Sequence, residues 1–229
     1  MIHLKEVLDA DELARIHRVL VDAVWQSGRD DAGTQAIALK NNEQIAHDSA
    51  EGKEIAAIVL AALDRHADFF SAALPRRVFP PRVNRYAGRS NAFGKHIDNA
   101  IRVSPHTREH LRTDLSCTLF FASPESYDGG ELVIHGTGPS VSPGGIKLPA
   151  GDALLYPAST VHEVRPVTRG SRLACFFWIE SMIRGGEQRQ MLHNLDNTIM
   201  GLRAANGDND HTVALTGHYH NLLRMWADV

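Results

Sequence analysis

The chain has few cysteines, the residues that stabilise small secreted domains through disulfides and zinc-binding domains through metal coordination. Its 229 residues include two cysteines, Cys117 and Cys175, which form no CxxC or zinc-finger spacing. Both lie in apolar, strand-like runs, so we expect two buried thiols in a reduced protein. A chain of this length can bury a sufficient core without disulfides or structural metal ions.

The chain also lacks an excess of charge of one sign and a long apolar run, and we expect no leader segment. Its 24 Lys and Arg residues against 27 Asp and Glu residues give a net charge of -3, which does not favour nucleic-acid or anionic-membrane binding. No window approaches the roughly 20 apolar residues of a membrane span. The N-terminal MIHLKEVLDADELARIH is acidic where a signal peptide is apolar. The sequence therefore predicts a soluble, cytoplasmic protein without nucleic-acid or membrane partners.

The first third of the chain has helical periodicity. DADELARIHRVLVDAVW, capped by Asp9 or Asp11, and EIAAIVLAALDRHADFF repeat apolar residues at the spacing of one helix face. NNEQIAHDSAEG between them is interpreted as a loop or a helix cap. The apolar positions expected to face a core are Leu13, Ile16, Leu20, Val24, Ile55, Val59, Leu63 and Phe70.

From about residue 78 the pattern changes to short strands punctuated by Gly and Pro, which is typical of a sandwich or barrel of the jelly-roll kind. The seven candidate strands are RVNRYA, DLSCTLFFA, GELVIHG, GIKLPA, DALLYPA, VHEVRPV and SRLACFFWIE. After Glu180 two helical segments follow, separated by AANGDND. We expect a mixed α+β domain over residues 1–180, with its β core at about 78–180, and a helical extension over 181–229. The apolar residues of the last helix would cover the end of the barrel or form a homodimer face.

The segment NAFGKHIDNA indicates a functional site. His96 and Asp98 are two residues apart just after a predicted strand, so their side chains share one face and converge. Such a pair is compatible with a salt bridge, a catalytic dyad or two ligands of a metal site. A third metal ligand would come from another strand, and His135 and His162 are the candidates.

The residues that follow His162 favour it over His135. HEVRPVTRGSRLACFFW predicts a β-hairpin closed by Thr168, Arg169 and Gly170, which places His162 and Arg172 on one face. Two histidines and one carboxylate leave coordination positions open, as in non-haem Fe(II) oxygenases. Arg172 would then hold the far end of a short dianion whose near end binds the metal.

These residues resemble a known family. The order HxD, His162, Arg172 resembles Fe(II)/2-oxoglutarate dioxygenases. NRYAGRSNAFGKHIDNA, DGGELVIHG, GDALLYPASTVHEVRPVTRGSRLACFFWIESMIR and the helical tail together resemble the bacterial PKHD-type hydroxylases, which are relatives of the prolyl 4-hydroxylase catalytic domain and are often associated with iron uptake.

The resemblance implies a double-stranded β-helix, or jelly-roll, core flanked by helices. It implies Fe(II) bound by His96, Asp98 and His162, and 2-oxoglutarate that chelates the iron and places its distal carboxylate on Arg172. It also implies O2 as a co-substrate, support by L-ascorbate, and hydroxylation of a small molecule or a peptidyl residue with release of succinate and CO2.

Two points stay open at this stage. Related prolyl hydroxylases often place a Tyr on the strand after HxD to help bind the distal carboxylate, whereas this chain has Phe120; Tyr86 is a candidate for lining the pocket. The alternative function is a cupin-like iron or ligand sensor without turnover. Arg172 argues against a sensor, because a sensor has no evident use for an anchor beside the open metal positions.

Overall fold

The computed structural model describes residues 1–31, 37–104, 107–136 and 144–229. The helices within these ranges are Ala10–Val21 (α1), Ala50–Arg65 (α2), Ala67–Ala73 (α3), Gly186–Asn206 (α4) and Asp210–Trp226 (α5). The strands are Ile2–Leu4 (β1), Trp25–Ser27 (β2), Lys40–Asn41 (β3), Glu43–Ile45 (β4), Pro75–Val78 (β5), Arg82–Ala87 (β6), Ala92–His96 (β7), Ile101–Val103 (β8), His110–Arg112 (β9), Leu115–Phe120 (β10), Asp128–Gly129 (β11), Leu132–Ile134 (β12), Ala153–Pro157 (β13), His162–Val164 (β14), Val167–Arg169 (β15) and Ser171–Ser181 (β16).

Two antiparallel sheets form the centre of the molecule. The major sheet has the order β1-β13-β10-β16-β6-β4-β2, and β5 also pairs with β16. The minor sheet has the order β12-β14-β7-β3, and two short ribbons, β11-β15 and β8-β9, lie beside them. Strands that are close in sequence are therefore distributed over both sheets, as the predicted jelly roll requires.

The two faces of the major sheet have different roles because side chains alternate along each strand. Cys117, Leu119 and Phe121 pack with α1, α2 and α3 in the largest apolar cluster. The intervening Phe120 and the β13 residue Tyr156 belong to a second cluster, shared with the minor sheet. The layers are helices, major sheet and minor sheet, and the second interface holds the site. Both cysteines are free and buried, as predicted.

The N-terminal helices begin and end near the predicted residues. Asp9 caps α1 with a complete capping box, and Ser49 caps α2. Two predicted core residues are wrong. Val24 lies beyond the end of α1 and is 78% exposed, and Phe70, which lies on the separate short helix α3, is 52% exposed.

Most predicted strands are confirmed, and RVNRYA corresponds to β6 residue for residue. GIKLPA is wrong as a strand, since it contributes only an isolated bridge from Ile146 to Leu132. The segment NNEQIAHDSAEG, interpreted as a loop or a helix cap, includes the cap residue Ser49 of α2, but it also includes β4 and the end of β3. β4 has three residues and β3 has two, which are too few to show a periodic pattern in the sequence.

The predicted hairpin between His162 and Arg172 is wrong. His162 lies in β14, which pairs with β12 and β7 in the minor sheet. Arg172 lies in β16, which pairs with β10, β6 and β5 in the major sheet. Gly170 does have the expected left-handed conformation, with φ of 74°, but its turn connects β15 to β16. The two residues nevertheless line one cavity, because their sheets pack face to face.

The C-terminal helices form a small apolar cluster of their own. Leu192 and Ile199 of α4 and Tyr219 of α5 pack with Leu74 and Ile183, which follow α3 and β16. Met225 of α5 is 74% exposed. Among the described residues, no helix has both the length and the apolar character needed to cross a bilayer.

Candidate metal and co-substrate site

A cavity of about 750 Å³, including its open entrance, lies between the two sheets. The predicted residues His96, Asp98, His162 and Arg172 all line it. The minor sheet supplies the two histidines, and the major sheet supplies Arg172. The facing sheets therefore place the predicted metal ligands and the predicted anion anchor around one space.

A bulge in β7 sets the orientation of His96. Pairing with β14 runs from His162 opposite His96 to Val164 opposite Phe93, so β7 has one extra residue in this interval. Residues three apart face opposite sides of a regular strand, but a bulge changes this alternation and redirects side chains. The rings of Phe93 and His96 accordingly stack, with centroids 3.5 Å apart and an interplanar angle of 14°.

Both histidines make the same backbone contact. The Nδ1 of His96 lies 2.8 Å from the carbonyl oxygen of Gly94, and the Nδ1 of His162 lies 3.0 Å from that of Thr160. A carbonyl oxygen only accepts, so each Nδ1 carries the proton and donates it. Each Nε2 is then left with a lone pair, which is the form of imidazole that binds a metal.

Asp98 completes a compact group of three ligands. One ligand atom each from His96, Asp98 and His162 lies within 4.8 Å of the others, and the Nε2 of His162 is 3.9 Å from Oδ2 of Asp98. The hydroxyl of Ser116 on β10 donates to the same Oδ2. Two neutral imidazoles and one carboxylate are the donor set preferred by non-haem Fe(II), so these residues fit that ion.

The environment of His96 keeps its ring neutral. Burial, followed by the repulsion of nearby His162, lowers the pKa of His96 to about 4. The hydrogen bond to Gly94 and the charge of Asp98 act in the opposite direction but are weaker. At neutral pH no proton therefore has to be displaced from this ring for a metal to bind.

Arg172 is a buried cation facing the same cavity. Its side chain is among the largest fully buried ones in the described chain, with 1% exposure. Its Cζ lies 5.3 Å from the ring centre of Tyr86 and 5.1 Å from that of Phe120. Among the described residues, none of its three nitrogens has a hydrogen-bond partner. Burial of a guanidinium without a hydrogen-bond partner lowers the stability of the fold unless an anion binds to it.

Sequence reasoning expected the loop PESYDG to shape the pocket but did not single out its Tyr127, which lies beside Arg172. A Cβ placed on Gly130 would lie 3.0 Å from Cε2 of Tyr127 and 3.2 Å from Cδ of Arg172, so the two side chains are neighbours. Burial raises the pKa of Tyr127, and the charge of Arg172 opposes that rise. Tyr127 follows a Pro-containing turn with no strand periodicity, and no sequence signal marked it.

The other predicted residues are accounted for. Tyr86 lines the cavity, and its pKa is raised by burial against the opposing charge of Arg172. His135 bonds to Glu163 at 2.9 Å and is not in the ligand group. His106 and His110 are four residues apart and could bind zinc on a helix, but the polar segment SPHTREHL predicts a solvated loop or turn. His110 is exposed on β9, and His106 lies outside the described residues.

Two sequence profiles match the chain. Residues 81–180 match the 2OG-Fe(II) oxygenase superfamily, and residues 187–228 match the PKHD-type hydroxylase C-terminal domain. The first match extends from β6 to β16 and includes all four predicted site residues, and the second covers α4 and α5. The protein is therefore an Fe(II)- and 2-oxoglutarate-dependent dioxygenase.

Full-length relatives define the family more closely. A PKHD-type hydroxylase of Verminephrobacter eiseniae is 53% identical over 225 residues, covering 98% of each chain. One of Nitrosomonas europaea is 46% identical over 228 residues, covering 100% of this chain and 99% of the relative. The chain belongs to the PKHD-type hydroxylases.

Solved structures confirm the jelly-roll fold. A prolyl hydroxylase from Trichoplax adhaerens, in complex with a hypoxia inducible factor peptide fragment, has a TM-score of 0.58 at 15% identity, over 83% of this chain and 86% of that one. The non-heme alpha ketoglutarate dependent carbocyclase SnoK from nogalamycin biosynthesis has a TM-score of 0.53 at 14% identity, over 83% and 84%. At these identities the likeness concerns the fold alone.

Proposed function

We propose that His96, Asp98 and His162 bind Fe(II), and that Arg172 binds the distal carboxylate of 2-oxoglutarate. The reaction is hydroxylation of a small molecule or a peptidyl residue, with succinate and CO2 as co-products. The observation that carries the proposal is the buried Arg172 guanidinium, without a hydrogen-bond partner in the described chain, in the cavity of the ligand group.

The chain's own residues bind, orient and shield the reactants. The two Nδ1–H donors fix the histidine tautomers, Asp98 offsets part of the metal's charge, and Arg172 orients the co-substrate by its far end. Bound Fe(II) with 2-oxoglutarate supplies the oxidation that inserts one oxygen atom of O2 into a C–H bond. Phe120 and Tyr86 beside Arg172 lower the local dielectric, which strengthens its pairing with a carboxylate.

The proposal assigns residues 1–180 to the oxygenase domain and residues 181–229 to a helical extension. The apolar cluster that α4 and α5 share supports this division, because it is separate from the clusters of the two sheets. The solved structures of similar fold include one with a peptide and one from small-molecule biosynthesis. The substrate class must therefore be inferred from the cavity of this chain.

The decisive experiment measures succinate formed from 2-oxoglutarate with Fe(II) and O2, with ascorbate added as a reductant. Wild type should form succinate even without a primary substrate, at a slow rate. Arg172→Met should raise the 2-oxoglutarate concentration for half-maximal rate by about thirtyfold or more, because truncating one partner of a buried charge pair costs about 2–5 kcal/mol.

Arg169→Met is the matched control. Arg169 precedes the turn at Gly170 that leads to Arg172, but it is exposed and pairs with Asp128 at 2.7 Å. Its replacement should therefore leave the 2-oxoglutarate requirement unchanged. Equal requirements in wild type and Arg172→Met would remove the assigned role of Arg172. Absence of succinate with every metal-loaded preparation would favour the sensor alternative instead.

A further inference from the structure

We propose that the hydroxyl group of Tyr127 donates a hydrogen bond to the distal carboxylate of 2-oxoglutarate, beside the guanidinium of Arg172. The inference rests on the proposed function, because it takes that carboxylate to bind at Arg172, and it adds a second residue to the co-substrate subsite. Three observations support it: a buried hydroxyl without a partner, its position next to Arg172, and the donor chemistry of the two side chains.

The hydroxyl of Tyr127 is buried without a hydrogen-bond partner. The residue has 0% exposure, and its side-chain oxygen makes no hydrogen bond within the part of the chain that the structure describes. Ser171 has the one other side-chain hydroxyl in this condition among the described residues, but alternation along β16 directs it away from the face of Arg172. A buried hydroxyl without a partner lowers the stability of the fold, so a ligand that brings an acceptor to Tyr127 restores stability.

Neighbouring residues hold the ring of Tyr127 in place. Tyr127 directly follows the short 3-10 helix Pro124–Ser126. The ammonium of Lys147 lies 4.0 Å from the centre of its ring and donates to its carbonyl oxygen at 2.6 Å. A Cβ added to Gly170, whose φ is 74°, would lie 3.0 Å from the Cα of Tyr127, so the glycine permits this close approach. The position of the tyrosine therefore does not depend on a bound ligand.

Tyr127 and Arg172 approach each other at Gly130. A Cβ added to this glycine would lie 3.0 Å from Cε2 of Tyr127 and 3.2 Å from Cδ of Arg172, so a larger residue would enter the space beside both side chains. Burial raises the pKa of Tyr127, and the charge of Arg172 opposes that rise because the two groups are close. Phe120, whose ring centre lies 5.1 Å from the Cζ of Arg172, has no hydroxyl to offer a ligand.

Tyr127 and Arg172 together have donors that need an acceptor. A guanidinium carries only N–H donors, whereas a tyrosine hydroxyl has one proton to donate and can also accept. None of the nitrogens of Arg172 has a hydrogen-bond partner among the described residues. Tyr127 can accept from Arg172, but its own proton then still needs an acceptor. A carboxylate accepts from both groups in charge-assisted hydrogen bonds, whereas an apolar or cationic ligand end would leave these donors unpaired.

Tyr86 is the competing candidate for this role. Its ring centre lies 5.3 Å from the Cζ of Arg172, and it lines the cavity. Its hydroxyl, however, is not among the buried hydroxyls that lack a partner in the described chain. The observation that favours Tyr127 therefore does not apply to Tyr86, and removing the two hydroxyls one at a time distinguishes the candidates.

The test measures binding of 2-oxoglutarate by equilibrium dialysis of the full chain, loaded with Mn(II) in the absence of O2. Tyr127→Phe removes the hydroxyl and keeps the ring. We expect it to weaken 2-oxoglutarate binding about tenfold or more, as for the loss of a hydrogen bond to a charged group. Oxalate also chelates a metal ion but has no distal carboxylate, so its affinity should equal that of the wild type. Tyr86→Phe should change the 2-oxoglutarate affinity less than Tyr127→Phe does.

Tyr219→Phe is the matched control. Tyr219 is 8% exposed and packs in the cluster of the C-terminal helices, so loss of its hydroxyl should not alter 2-oxoglutarate binding. Unchanged 2-oxoglutarate affinity in Tyr127→Phe, or a larger loss in Tyr86→Phe, would overturn the proposal. A Tyr127→Phe protein that does not fold, or that loses affinity for oxalate as much as for 2-oxoglutarate, would also overturn it, because the hydroxyl would then stabilise the fold instead of binding the co-substrate.

Arg172→Met, measured in the same assay, separates this inference from the proposed function. If Arg172→Met weakens 2-oxoglutarate binding and Tyr127→Phe does not, Arg172 keeps its assigned role and only the role of Tyr127 is removed. If neither variant differs from the wild type, the distal carboxylate does not bind here and the proposed function fails as well. Loss of affinity in both variants, with oxalate binding retained, supports both assignments.

Discussion

At the scale of single residues, the site depends on two histidines that use one local arrangement. Each donates Nδ1–H to the carbonyl oxygen of the residue two positions earlier, Gly94 for His96 and Thr160 for His162. A backbone carbonyl cannot rotate away as a side chain can, so it holds the ring plane and the tautomer together. Asp98 lies beyond the end of β7 and depends instead on a side-chain contact from Ser116.

Asp98→Asn should weaken metal binding by about a hundredfold. An amide oxygen carries no full charge, so the ion would lose a charged ligand while the shape of the site is kept. Titration of the apo-protein with Mn(II) by calorimetry measures the change. Asp128→Asn, at an exposed carboxylate that pairs with Arg169, is the control and should bind Mn(II) like the wild type. Equal affinities for Asp98→Asn and wild type would show that Asp98 is not a ligand.

Ser116→Ala should reduce Mn(II) affinity by about tenfold, the lower end of the range for groups that orient a metal ligand. The hydroxyl acts only through Asp98, so the effect should be absent in an Asp98→Asn background. If the loss of Mn(II) affinity in the double variant equalled the two single losses combined, that dependence would be contradicted. Measuring all four proteins with the same calorimetric titration closes the cycle.

At the scale of elements, alternation along strands was predictable and the choice of partner strand was not. Alternation along a strand places Arg172 and Phe176 on one face of β16, and both line the cavity. It does not predict that β14 pairs with β7, because that contact joins residues far apart in the chain. Pro166 helps to explain the wrong hairpin, since it has no N–H to donate and interrupts the ladder between β14 and β15.

The convergence of the site residues was predicted correctly for a partly wrong reason. His96 and Asp98 converge as their spacing predicts, and the ligand atom of His162 joins them within 4.8 Å. Their meeting with Arg172, however, results from two sheets that face each other. Lys40 and Arg102, which also line the cavity, were not predicted, because β3 and β8 have two and three residues, too few for a periodic pattern.

The C-terminal pair of helices gives a prediction at this scale. Asn209 caps α5 because its side-chain oxygen accepts from the N–H groups of His211 and Thr212, and the Thr212 hydroxyl oxygen accepts from the backbone N–H of Asn209. Asn209→Ala should lower the free energy of unfolding by about 1 kcal/mol. Asn209→Asp keeps an acceptor at the cap and is the control. Urea denaturation followed by circular dichroism measures both, and a loss of equal size in the two variants would contradict a capping role.

At the scale of the whole molecule, the layers separate stability from function. Apolar side chains of the helices and the major sheet form the largest cluster, whereas the interface of the two sheets includes buried polar side chains such as Arg172 and Asn84. Polar groups buried in this way reduce the stability of a fold unless a ligand compensates them. The buried polar groups at the site therefore lower the stability of the ligand-free protein, and bound ligands should restore that stability.

The Arg172→Met variant tests whether the buried guanidinium lowers the stability of the ligand-free protein and raises it when ligands are bound. Without ligands, the variant should be at least as stable as the wild type, because an apolar side chain of similar length replaces a buried guanidinium that has no hydrogen-bond partner in the described chain. With Mn(II) and 2-oxoglutarate at about a hundred times its Kd, the wild type should gain about 2.7 kcal/mol from the co-substrate by mass action, and the variant should lose most of that gain. Thermal unfolding with no ligand, metal alone, and metal with 2-oxoglutarate separates the contributions. A ligand-free variant less stable than wild type by more than about 1 kcal/mol would indicate that Arg172 stabilises the fold itself.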